Sequence, residues 1–211
     1  LRISNGRYLM ILNSDTIILD SAFDKLLKFM DDNPQCGACG PKLLNPDMSL
    51  QRSSDRLPTF LYGLFEILFI NTLFPNNWIK KYRIYPEWDR NSTREVDSVG
   101  GSCMIVRKEV VEKVGLLDQD FLIYWEEVDW CNRILKAGYK IYYVAEAQII
   151  HYWQVAMDKH GKEKKEKIFF NSLLYYYKKH FGLFHYLILW LILNFYTKPI
   201  LKIVRTIKSI L

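Results

Sequence analysis

The sequence is poor in the residues that mark several protein classes. Four cysteines in 211 residues are too few for a disulfide scaffold. Ten glycines and seven prolines rule out a fibrous or low-complexity chain. No secretory leader opens the sequence, so reduced thiols in a cytosolic setting are expected. Methionine is missing from position 1. The chain opens on Leu1, a strand-like run follows almost at once, and an N-terminal part ahead of it is expected. What the chain does have is apolar and aromatic weight: 50% hydrophobic residues, with 14 Tyr, 12 Phe and 6 Trp. That excludes disorder and is enough for one globular domain with an appendage.

Acidic residues are scarce at one end. Residues 158–211 carry 11 Lys/Arg against 3 Asp/Glu, whereas residues 1–157 carry 18 against 20. The whole net charge of +6 therefore comes from the tail. A basic tail points to an anionic partner. Phe181 to Thr197 is 17 residues without Asp, Glu, Lys or Arg, close to the lower limit for a spanning helix. After Lys198-Pro199, Ile200, Ile203, Val204, Ile207 and Leu211 share one helical face, and Lys198, Lys202, Arg205 and Lys208 lie largely on the other. This is the pattern of a helix lying in a membrane interface, although two helices packed on the protein's own core would also account for it. The basic residues lack interleaved aromatics, so nucleic acid is not expected as a partner.

The periodicity predicts strands at Tyr8 to Asn13 (buried), Cys36 to Leu44, Lys140 to Val144 and Gln148 to His151. Val96 to Val99, Gly100-Gly101 and Cys103 to Val106 read as strand, turn, strand. Helices are predicted over 21–33, 57–82 (broken at Pro75-Asn76-Asn77), 108–114, 126–137 and 161–180. Strands alternating with helices give an α/β fold. Residues 1–157 are expected to form one part, and residues 158–211 a basic helical extension at a membrane.

Four groups of residues carry chemistry. Asn13-Ser14-Asp15 ends a hydrophobic strand, the edge where open α/β sheets bind ligands, and its carboxylate suits a divalent cation on phosphates. An N-cap or turn role is the plainer alternative. Tyr124-Trp125-Glu126-Glu127-Val128-Asp129-Trp130 puts three carboxylates at a helix start. They complement the helix dipole, or the flanking aromatics desolvate one of them toward a general base. His151 ends an apolar strand and is either a satisfied core residue or a metal ligand. Gly100-Gly101-Ser102 allows close approach of a ligand to the backbone, or simply a tight turn. Cys36 and Cys39 are expected on opposite strand faces as small buried hydrophobes, since no second CxxC completes a zinc site.

Taken together in this order, these segments resemble the inverting family 2 glycosyltransferases of the GT-A fold, in particular their rhamnosyltransferase-like and galactofuranosyltransferase-like branch. Leu12-Asn13-Ser14-Asp15-Thr16 resembles the family's DxD-type strand end. Val99-Gly100-Gly101-Ser102 resembles its acceptor-side strand, and Tyr124 to Arg133 its ED-x-D helix. Gly138 to Val144 with Ile150-His151 resemble the strands that deliver a metal-ligand histidine. The resemblance covers roughly residues 1–180. It implies a GT-A-type, Rossmann-like mixed sheet flanked by helices, without the nucleotide-binding strands that precede the DxD strand, and followed by amphipathic or hydrophobic C-terminal helices. It further implies Asp15 and His151 as ligands of Mn2+ or Mg2+, Asn13 and Asp15 toward a nucleotide-sugar donor, and Glu127 as catalytic base. Glu126, Asp129, Trp125, Gly100 and Gly101 fall on the acceptor side. Position 127 departs from the family's usual Asp, which shifts the carboxylate by about one bond length. The acceptor implied is a glycan or lipid-linked glycan in cell-surface polysaccharide synthesis, at the cytoplasmic face of the cell membrane. Two other readings stand beside it: a catalytically inactive relic that binds a glycan or partner at the membrane, and a phosphohydrolase using Asp15, Glu127 and His151.

Overall fold

The computed structural model describes residues 3–152 and 161–203. Its elements run, in chain order, β1 (Tyr8–Leu12), β2 (Thr16–Ile18), α1 (Ala22–Asp32), β3 (Cys36–Leu44), β4 (Leu50–Gln51), β5 (Ser54–Asp55), α2 (Phe60–Ile67), α3 (Ile70–Leu73), α4 (Trp78–Arg83), β6 (Arg94–Val96), β7 (Ser98–Val99), β8 (Cys103–Arg107), α5 (Lys108–Val114), α6 (Glu126–Lys136), β9 (Lys140–His151), α7 (Lys162–Phe181) and α8 (Leu183–Ile192).

Seven strands form one mixed sheet in the order β1-β8-β3-β9-β2, with β4 added to β3 and β6 to β9. Among the described residues only β3 and β9 pair in parallel. β3 is central and almost wholly buried, which explains its unbroken apolar run. Leu26 and Met30 of α1 pack on one face of the sheet with Cys36, Cys39 and Ile149. Val110 of α5 and Trp130 and Ile134 of α6 pack on the other face. A third core is aromatic: Ile67 of α2, Phe121, Trp125 and Val128 meet Tyr176 and Tyr177 of α7 and Leu189 of α8. Residues 161–203 thus share a core with the segments around the start of α6. Gly63 makes that packing possible, because a Cβ there would lie 2.4 Å from the Tyr177 ring.

The structure corrects several expectations. Among the described residues β1 is an edge strand paired with β8 alone, and only its Leu9 is buried. Val96 to Val99 is split: β6 joins the main sheet, and β7 pairs with β5 in a separate two-stranded ribbon. The two strands expected in 140–151 are one, β9, with a register irregularity opposite Pro41/Lys42. A second irregularity between Cys36 and Ala38 inserts one residue, so Cys36 and Cys39 face the same α1-side core. All four cysteines are free and buried.

The C-terminal helix also differs from expectation. Lys198-Pro199 does not interrupt it; one helix runs from Leu183 to Ile203. Its turn at Leu193–Thr197 is widened to π geometry directly ahead of Pro199, where the missing N–H and the ring bulk disfavour a tight α turn. Val204, Arg205, Ile207, Lys208 and Leu211 lie outside the described residues.

Candidate active site

Sheet register builds the first half of the site. β2 pairs with the end of β9, setting Thr16 opposite His151, and Tyr152 N–H donates to the Asp15 carbonyl at 2.9 Å. Asp15 and His151 are thereby neighbours, with Asp15 Oδ1 3.4 Å from His151 Nε2. Asn13 Nδ2 lies 3.3 Å from the same nitrogen, and the Asn13 N–H donates to the Ser102 carbonyl at 2.9 Å, tying this loop to the glycine turn.

The ring of His151 is oriented by Gln51, which sequence reasoning did not single out. Gln51 Nε2 donates to the His151 carbonyl at 3.0 Å and to Asn45 Oδ1 at 2.8 Å. Gln51 Oε1 is left to accept from His151 Nδ1 at 2.7 Å. The Nε2 lone pair therefore faces Asp15. Burial lowers the His151 pKa, against the opposing pull of Asp15, and keeps the imidazole neutral. Nε2 accepts from the Asn13 amide at 3.3 Å with the Asp15 carboxylate 3.4 Å away. A cation taking the place of the amide N–H would be shared by the lone pair and the carboxylate, and the fixed tautomer is the usual support of a metal-ligating histidine. The pair fits a hard or borderline divalent ion. Among the described residues no group of three or more His, Cys, Asp or Glu is arranged to hold one, so the other ligands would be substrate phosphate oxygens and water.

The start of α6 builds the second half. Tyr124 and Trp125 both adopt left-handed backbone conformations, with φ of 68° and 72°, a costly arrangement for consecutive aromatics. α7 holds it in place. Ser172 Oγ donates to the Ile123 carbonyl at 3.0 Å, and the Trp125 ring packs on Phe169, Tyr176 and Tyr177. The turn presents Glu126 and Glu127 to the cleft. Each has an Oε2 that is enclosed and without a hydrogen-bond partner, unlike first-turn acids that merely face solvent. Burial, and then the charge of Glu126, push the Glu127 carboxyl up to about 7; burial also raises Glu126. The backbone at Gly101 closes over Glu127, and a Cβ at Gly101 would lie 3.6 Å from Glu127 Cβ.

One cleft of about 530 Å³ joins the halves. Asn13, Asp15, Gly100, Gly101, Glu126, Glu127 and His151 all line it, together with Gln51, Arg52, Ser53 and Tyr124. Two predicted residues are elsewhere. Trp125 is turned into the aromatic core, leaving its neighbour Tyr124 at the cleft. Asp129 has 0% exposure and does not line the cleft. It accepts from His180 Nε2 at 2.7 Å, Lys179 Nζ at 2.9 Å and Arg133 Nε at 2.8 Å. Neither residue is open to an acceptor; both fix α6 against α7.

The fold and the site thus define an α/β sheet with an acid–histidine pair and an enclosed glutamate pair gathered in one cleft. Residues 2–168 match the family described as glycosyltransferase like family 2, and the chain belongs to that family. It is 31% identical over 146 residues to the N-acetylglucosaminyl-diphospho-decaprenol L-rhamnosyltransferase of Mycobacterium tuberculosis, covering 69% of this chain and 47% of that protein. It is 28% identical over 149 residues to the O-antigen biosynthesis protein RfbC of Myxococcus xanthus, covering 71% of this chain and 11% of the relative. It is 36% identical over 74 residues to the rhamnosyltransferase WbbL of Escherichia coli, covering 35% and 28%. The chain therefore spans about half the length of the mycobacterial relative. A crystal structure of GalNAc-T7 with UDP, GalNAc and Mn2+ superposes with a TM-score of 0.48 at 12% identity, over 71% of this chain and 28% of that one. At that level of similarity nothing about its ligands transfers to this chain.

Proposed function

We propose that this chain carries the metal and acceptor half of an inverting glycosyltransferase, moving a sugar from a nucleotide-sugar to a hydroxyl of a glycan or lipid-linked glycan in polysaccharide synthesis. The carrying observation is the placement of Glu127, an enclosed carboxylate without a partner, in the same cleft as the oriented Asp15–His151 pair. Asp15 and His151 would hold Mn2+ or Mg2+, which when bound neutralises charge on the donor's diphosphate. Asn13 braces His151 and lines the donor side of the cleft. Glu127 takes the proton of the acceptor hydroxyl. The acceptor oxygen bonds to the anomeric carbon, the bond from that carbon to the diphosphate oxygen breaks, and its electron pair leaves with the nucleoside diphosphate. A single displacement inverts the centre. A carboxylate raised toward neutrality is a stronger base than an exposed one and remains ionised in part at pH 7. Glu126 keeps that pKa high and offers a second acceptor of hydroxyl hydrogen bonds.

The membrane placement is part of the same proposal. The helix Leu183–Ile203 has mean hydropathy 1.3 with 17% of its apolar window buried, and Lys198 and Lys202 sit in its last turns. It is long enough to span or to lie in the interface of the inner face of the cell membrane. The test is Glu127→Gln. Sugar transfer is lost while metal-dependent binding of the nucleoside diphosphate persists; unchanged turnover would overturn the assignment.

A further inference from the structure

A second, smaller cavity of about 160 Å³ opens beside the main cleft and shares Arg52, Ser53, Gly100 and Glu127 with it. Asp15 and His151 line the main cleft and not this cavity. Its own walls include Ser54, Asp55 and Arg83. Ser54 is 3% exposed, and its Oγ has no hydrogen-bond partner. Asp55 Oδ1 and Glu127 Oε2 are likewise enclosed without a hydrogen bond. Arg52 Nε stands 3.3 Å from Asp55 Oδ1 and Arg83 Nε 3.7 Å from Asp55 Oδ2.

Buried polar atoms are nearly always satisfied. Ser54 Oγ and Glu127 Oε2 are without any partner beside this cavity, and Asp55 Oδ1 is held by the Arg52 ion pair alone, so an occupant with matching groups is called for. The mixed walls select its chemistry. Two carboxylates oppose a phosphate, and two guanidiniums oppose a cation. A neutral polyol suits both, since each hydroxyl donates to a carboxylate and accepts from an arginine. We infer that Ser54, Asp55 and Arg83 form the subsite that holds the ring hydroxyls of the acceptor sugar next to Glu127. This rests on Glu127 being the acceptor-side base. Asp55 and Ser54 are then specificity-determining residues, reading hydroxyls adjacent to the one that reacts.

The test titrates the intact chain with the methyl glycosides of glucose, galactose, rhamnose and N-acetylglucosamine, and with inorganic phosphate, following binding by ligand-observed NMR. Separately, Mn2+-dependent binding of UDP and dTDP reports on the donor side. At least one glycoside is expected to bind, and Asp55→Asn to weaken it about tenfold or more, since a hydrogen bond to a charged group is lost. Because Asp55 also engages two arginines, Ser54→Val is the second variant. It removes no protein hydrogen bond, keeps the melting temperature, and blocks the cavity with an equal loss of glycoside binding. Nucleotide binding stays unchanged in both. Glycoside binding that both variants leave intact, binding of phosphate in place of every glycoside, or no glycoside binding to the unaltered chain would each overturn the subsite. Loss of glycoside binding in both variants, with sugar transfer left intact by Glu127→Gln, would uphold the subsite and overturn the assignment of Glu127 as base instead.

Discussion

His151 donates its Nδ1 proton to Gln51 Oε1 across 2.7 Å, and this contact decides which ring nitrogen faces Asp15. Gln51 lies on β4, a two-residue strand that reaches His151 only because the turn after β3 folds it back beside Leu43. Gln51→Leu keeps the volume and removes the acceptor. Nucleoside diphosphate binding in the presence of Mn2+ is expected to weaken about 10–100-fold, the usual range for losing the hydrogen bond behind a ligating histidine. Calorimetric titration reads this directly. In EDTA the two proteins should become equally poor binders, and a difference that survives chelation would place Gln51 in direct contact with nucleotide instead.

Glu127 carries opposite consequences for activity and stability. Its carboxyl is raised to about 7, first by burial and then by Glu126, so transfer, which needs the ionised form, should rise with pH through that value and level off above it. For folding the sign reverses. A carboxyl that holds its proton more tightly when folded destabilises the fold as pH climbs from the unfolded value, near 4.5, through about 7. Glu127→Gln removes that cost. The variant is expected to melt on the order of 5 °C above the parent at pH 8, with the gap closing toward pH 5, while turnover drops about 10²–10⁴-fold. Melting curves at several pH values, alongside a transfer assay, check both signs.

Asp129 tests the reassignment made by the structure. Burial alone would raise its carboxyl, but the hydrogen bonds from His180 and Lys179 and the nearby Arg133 outweigh it and hold it down to about 2. Its stabilising effect is therefore complete above the ordinary value of 3.8 and fades as pH falls through about 2. Asp129→Asn takes the carboxylate away from Arg133 and leaves Lys179 with Asp118 as its remaining acid, and is expected to cost up to about 3–5 kcal/mol, read by urea unfolding at pH 7. Any protein that still folds should retain nucleotide binding in Mn2+. A stable variant with weakened acceptor binding would return Asp129 to the acceptor side.

How much of this was legible in the sequence follows from which contacts are local. Cys36–Leu44 and Lys108–Val114 were bounded correctly, because an unbroken apolar run and a short amphipathic turn are properties of adjacent residues. That Asp15, His151 and Glu127 share one cleft agrees with their places at strand ends and a helix start, where open α/β sheets gather ligand-facing residues. Gln51 was not legible, since its role depends on hairpin register. Asp129 was misplaced because its partners Lys179 and His180 come from α7, about fifty residues later, and no spacing pattern announces them. Trp125 was misplaced because two successive left-handed residues turn its ring away from the cleft, a conformation that a helical wheel does not contain.

Gly63 shows how tightly α2 must approach α7. A Cβ would sit 2.4 Å from the Tyr177 ring, a buried side chain that donates to the Thr59 carbonyl. Gly63→Ala improves helix propensity by up to about 1 kcal/mol, but overpacking of this kind costs about 1–3 kcal/mol. The net expectation is a lower melting temperature. A rise would mean that the α2–α7 contact yields easily and does not anchor the start of α6.

The last expectation concerns the surface of the C-terminal helix. Phe184 and Phe195 are each 71% exposed, an arrangement that water disfavours and that a bilayer interface accommodates. Neither belongs to the aromatic core, so replacing both with serine should leave the melting temperature unchanged. Each phenylalanine buried in lipid contributes about 1.5–3 kcal/mol, so the double variant Phe184→Ser/Phe195→Ser should partition into vesicles at least about tenfold less well. The Lys198 and Lys202 charges contribute a part that depends on anionic lipid and is screened by salt. Co-sedimentation with vesicles of neutral and of anionic composition, at low and high salt, separates the two contributions. If the double variant binds both as the parent does, the helix face is covered by protein rather than lipid, and the lipid-linked acceptor loses its structural support.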